Sequence, residues 1–121
     1  MATISKLCLS ESTDGRGISV ADNSGTITTI HTGTSVAADY HEIWLWASSH
    51  SVVTETLTLQ WGGTTEAGDH FITTINPNET VLIAPGWLLK GNSSALIVKA
   101  YTTTNNQVNI TGYVNLIDAA S

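Results

Sequence analysis

The chain has 121 residues, with four Lys+Arg against ten Asp+Glu and a formal net charge of −6 at pH 7. So small a supply of cations argues against direct binding of DNA or RNA, which draws affinity from Lys and Arg neutralising phosphates. The length suits one domain, residues 1–121, with a core that needs no metal or disulfide staple; no stretch is long and apolar enough for a membrane span, so no membrane partner is expected.

In chain order, residues 3–9 read as a strand or extended arm, short and partly alternating. Residues 10–17 form a loop in which Gly15 and Gly17 can take positive φ, and residues 1–17 together make a possible arm and loop. Residues 18–21 suit a brief strand. A turn at residues 22–25 leads into the β-branched run 26–32, a second full strand closed by Gly33. After a connection over residues 33–39 comes Glu42-Ile43-Trp44-Leu45-Trp46-Ala47, the central strand. Residues 54–61 show the cleanest alternation, with Leu57, Leu59 and Trp61 on one face and Thr56, Thr58 and Gln60 on the other. A long turn at 62–69 precedes strand 70–75 and a turn containing Pro77. Residues 80–84 form a short apolar strand ended by Pro85-Gly86, which favours a turn. Trp87 to Leu89, residues 95–101 and residues 108–117 complete the series, and Val108, Ile110, Val114 and Leu116 share a face.

About eight short strands with turn signals between them, and no window at helical spacing, predict an all-β fold. A jelly-roll-like antiparallel β-sandwich suits the count; an immunoglobulin-like order also fits the pattern. Alternation along the central strand places Ile43, Leu45 and Ala47 on one face and Glu42, Trp44 and Trp46 on the other. Only one face is needed for the core, so the second tryptophan-bearing face calls for a cover: a loop, an arm or another subunit.

Chemistry is harder to find. The histidines, His31, His41, His50 and His70, form no His-x-His or His-x-x-x-His pair, and adjacent His41 and Glu42 point to opposite faces of a strand, so no metal site is expected. They are expected exposed or hydrogen-bonded at strand ends. Glu55 shares a face with Leu57 and Leu59 and is a candidate buried acid with a raised pKa; with Glu42 on a neighbouring strand it would make the carboxylate pair a glycosidase needs. No nucleophile elbow, Walker loop or paired-cysteine motif occurs. Cys8, the single cysteine, reads as a small buried hydrophobe. No enzyme activity and no cofactor are expected. Trp87, beside Pro85-Gly86, is the best candidate for stacking on a glycan.

The overall make-up, with Ser12-Thr13-Asp14-Gly15-Arg16-Gly17-Ile18, Glu42-Ile43-Trp44-Leu45, Trp61-Gly62-Gly63-Thr64-Thr65 and Gly112-Tyr113-Val114-Asn115, resembles small structural proteins of tailed bacteriophages, head decoration (cement) proteins above all. The resemblance runs nearly end to end. It implies a homotrimer clamped on the major capsid protein at the outer surface of the head, made in the host cytoplasm and carried on the virion, stabilising the lattice by many modest contacts. Trp44, Trp46 and Tyr113 are then the expected subunit interface, and Ile4, Asp14 and Arg16 the expected capsid contacts. A tail or baseplate module that binds host glycan through Trp87 is the alternative, and a small jelly-roll enzyme relying on Glu55 the third choice.

Overall fold

The computed structural model describes residues 3–21, 27–104 and 106–119. The turn expected at residues 22–25 lies outside them, as do Met1 and Ala2 of the arm, Thr26 of the second strand and Asn105 of the turn before the last strand. Among the described residues there is no helix; nine strands run β1 (Thr3–Cys8), β2 (Ile18–Ser19), β3 (Thr28–Thr32), β4 (Tyr40–Ser49), β5 (Glu55–Trp61), β6 (His70–Ile75), β7 (Thr80–Lys90), β8 (Ile97–Tyr101) and β9 (Val108–Asp118). They form two sheets, β1-β9-β4-β7 with β2 also on β9, and β3-β8-β5-β6, and every pair is antiparallel. With β1 and β2 sharing one edge of β9, the orders 2-9-4-7 and 3-8-5-6 are those of a jelly roll, which removes the immunoglobulin-like order.

Alternation builds the core. Ile43, Leu45 and Ala47 of β4 meet Leu57 and Leu59 of β5 across the sandwich, joined by Val98, Val108, Ile110 and Val114, all but inaccessible to solvent. At about 25 cal/mol per Å², burial of side chains of this size stabilises by about 1.5–3 kcal/mol each. The outward residues of β5 are also covered: Thr58 and Gln60 are buried because β5 has β6 on one side and β8 on the other, with Ile72, Tyr101, His70 and Lys99 opposite them in register.

Two readings change at the strands. Pro85-Gly86 does not end a strand; β7 continues from Thr80 to Lys90, and its pairing with β4 slips between Ile43/Trp44 and between Leu45/Trp46. Gly86 has φ +75°, the conformation a bulge needs, and β7 is an edge strand, where a proline's missing N–H costs no ladder bond. Cys8 is exposed rather than buried, since all six residues of β1 are exposed and β1 is bound only along β9. Leu9, the next residue, is the one that enters the core.

Candidate assembly surface

The outward face of the β1-β9-β4-β7 sheet carries the tryptophans. Trp44 and Trp46 are alternate residues of β4, and Tyr113 pairs with Trp44 across the ladder to β9. Their rings form a triangle, with centroids 6.3 Å apart for Trp44–Trp46, 6.2 Å for Trp44–Tyr113 and 6.1 Å for Trp46–Tyr113. All three side chains are half-buried. Two glycines shape this arrangement. A Cβ at Gly112 would lie 1.9 Å from the Trp44 carbonyl oxygen, so only glycine lets β9 approach β4 here. A Cβ at Gly86 would lie 2.9 Å from the Trp44 ring, so the bulge in β7 makes room for the indole.

Polar groups fix the ring of Trp44. The Glu42 carboxylate accepts from Trp44 Nε1–H and from Asn115 Nδ2–H, both at 2.9 Å, and these two bonds, the indole first, hold its pKa below the ordinary value. Lys6 Nζ stands 4.7 Å from the Tyr113 centroid and Lys90 Nζ 5.3 Å from that of Tyr40, both cation–π contacts. Exposed Ile4, Leu82 and Leu88 extend the apolar surface.

The expected docking residues are exposed but not clustered. Ile4 faces Ile117 at one end of β9, whereas Gly17, beside Arg16, lies against Asn109 near the other; eight residues of strand separate those positions, about 27 Å. Asp14 takes positive φ, 55°, and the Arg16 amide closes a turn on Thr13 O. Trp87 is turned inward, paired with Ile43, its ring 5.4 Å from that of Trp61 and 4.8 Å from Phe71. It plugs the open side of the sandwich between β6 and β7 instead of presenting a platform.

The readings of the acids are corrected. Glu42 and Glu55 belong to different sheets, Glu42 pointing outward and Glu55 buried, so they form no carboxylate pair. Burial pushes the Glu55 carboxyl up, but the hydroxyls of Ser51, Thr103 and Thr104 and the Thr104 amide outweigh it, and the pKa lies below its ordinary value; the Thr103 hydroxyl donates to Oε1 at 2.8 Å. His31 and His41 are hydrogen-bonded and each lies one residue inside a strand end, the second of the two arrangements expected. Both are buried, with His31 Nε2 2.8 Å from His41 Nδ1. Sequence alternation missed His31 because a bulge between Thr29 and His31 turns both Ile30 and His31 inward. No group of three or more His, Cys, Asp or Glu side chains is placed to hold a metal ion among the described residues.

No family model matches the chain, and no curated protein matches it. A solved structure similar to it comes from work titled "Bacillus endospore appendages form a novel family of disulfide-linked pili"; the TM-score is 0.55 at 12% identity, covering 99% of this chain and 89% of that one. At that identity the likeness shows a shared fold.

Proposed function

We propose that this chain is a structural subunit that works by assembly, and that it decorates the outer surface of a phage head as a trimer. The observation that carries the reading is the Trp44–Trp46–Tyr113 triangle, large aromatic area on a sheet face that no described element of the same chain crosses. Aromatic residues of this kind dominate the buried centres of protein interfaces. Charge favours a second copy as the cover. Copies carrying −6 each repel in general, but two of the four cationic residues stand on this outward face, Lys6 over Tyr113 and Lys90 over Tyr40 at the end of β4, where they can meet Glu42 of a neighbour. The sequence resemblance to head decoration proteins supplies the more specific role, with exposed Ile4, Asp14 and Arg16 as contacts to the capsid protein.

Light scattering over a range of concentrations tests the assembly step. A trimer that becomes a monomer in W44S/W46S, with an unchanged circular dichroism spectrum, is the expected result; a monomeric parent at every concentration would remove the reading. The capsid role is tested by co-sedimentation with undecorated heads, which R16A with residues 1–5 deleted should weaken at least tenfold.

A further inference from the structure

We propose that the buried His31–His41 pair is an acid-released latch that holds the N-terminal segment, residues 3–17, onto the sandwich. The pair joins the two sheets, His31 standing on β3 and His41 on β4. Its hydrogen-bond pattern admits one protonation state. The Ser10 backbone N–H donates to His31 Nδ1 at 2.9 Å, so that nitrogen carries no proton and the proton of His31 sits on Nε2. His31 Nε2–H then donates to His41 Nδ1 at 2.8 Å, which places the second proton on His41 Nε2. Both lone pairs that could take a further proton, His31 Nδ1 and His41 Nδ1, are already occupied. A proton on the first opposes the Ser10 N–H; a proton on the second opposes His31 Nε2–H. Each breaks a bond of the chain from Ser10 to β4.

What depends on that chain is the N-terminal segment. Ser10 is its tie to β3, through the bond to His31 and through the Thr32 N–H, which donates to Ser10 Oγ at 2.7 Å. Before Ser10, β1 buries none of its six side chains, so beyond Leu9 its ordered contacts run along β9, through the ladder and the Lys6–Tyr113 contact. Charged groups near the pair are few. Asp39, from the β3–β4 connection, is buried with Oδ1 unpartnered and favours a charged His41. Leu89 of β7 and Leu116 of β9 flank His41 in register, and Val98 of β8 flanks His31. Glu42 and Lys90 lie on the outward face of their sheet, and Lys99 on the outward side of the other.

Burial first, and then the neighbouring His41, lower the His31 pKa from 6.5 to about 4; burial also lowers that of His41, against Asp39. A depressed folded-state pKa means that the unfolded or released form binds more protons. The stabilisation is therefore complete above pH 6.5 and lost as pH falls toward 4, by about tenfold in the opening equilibrium per pH unit and about 300-fold across the window for His31 alone.

Amide hydrogen exchange on the full chain, corrected for intrinsic rates, tests this between pH 7.5 and 4.5. Ser10 and Thr32 should lose protection by about tenfold per pH unit below 6.5, while Leu45 and Leu59 at the centres of their sheets keep theirs. In H31Q, whose amide can accept from Ser10 and donate to His41 without titrating, the bond to Ser10 no longer titrates, and the pH slope of Ser10 protection should fall well below the parental one, leaving only the part that His41 contributes. Nitrogen-15 spectra of the histidine rings provide a check that needs no variant, with both rings expected as Nε2–H tautomers at pH 7.5. A His31 ring that titrates near 6.5 while Ser10 stays protected, a Nδ1–H tautomer at His31, or an H31Q variant with the parental pH slope would overturn the latch.

Discussion

Single atoms decide a good deal in this sandwich. The backbone of β9 passes so close to Trp44 that a methyl group at residue 112 has no room, and G112A should lower stability by about 3 kcal/mol, the upper end for overpacking. Gly68, with nothing within 4 Å of its would-be Cβ, is the natural comparison, and G68A should change stability by less than about 1 kcal/mol; urea denaturation of the two variants measures the difference. Glu55 offers a second test. Its pKa is held down in the folded state, so its contribution is present above the ordinary carboxylate range and lost as pH falls through the folded value. E55Q should cost about 1–3 kcal/mol at pH 7, through the hydroxyl donors left with a weaker acceptor, and should flatten the loss of stability below about pH 4.5 in thermal melts. The inward position of Glu55 was legible from its place two residues before Leu57. Its donors were not, because Thr103 reaches it from 48 residues away.

Strands set which of these atoms meet. β4 kept the alternation its sequence announces, with residues 41 to 49 buried at every second position, because it is paired on both sides, by β7 and β9, and one face is sealed in the core. β3 and β7 depart from alternation at bulges, and both are edge strands, where the ladder constrains one side only. That is why the Pro85-Gly86 pair reads as a turn and folds as a bent continuation. The N-terminal strand has a different status, six residues paired with β9 and none buried. Removing residues 1–8 should therefore leave a cooperatively folded body, destabilised by about 2 kcal/mol or less, since ladder bonds of about 0.5–1.5 kcal/mol each are offset by the ordering of six residues. The urea midpoint would show it, and a loss of cooperative unfolding would contradict it.

For the molecule as a whole, a fold whose neighbouring strands are mostly distant in sequence should be slow to form. β1 pairs with β9 and β3 with β8, so loops spanning much of the chain must close before these contacts form, and refolding in stopped-flow fluorescence should take milliseconds to seconds rather than microseconds. The four tryptophans provide the signal. By itself the sequence determined the all-β class, most strand positions, the inward and outward faces of β4, and the surplus of aromatic surface, because these follow from the two-residue period of a strand and from local turn chemistry. Tertiary structure alone decided that Trp87 turns inward against Trp61 and Phe71, that Cys8 is exposed, that Glu42 and Glu55 stand in different sheets, and that His31 and His41 meet. Each of these depends on which strands pair and where a bulge slips the register, and the bulge in β3 exchanges inside for outside at His31 with no glycine or proline in the strand to mark it.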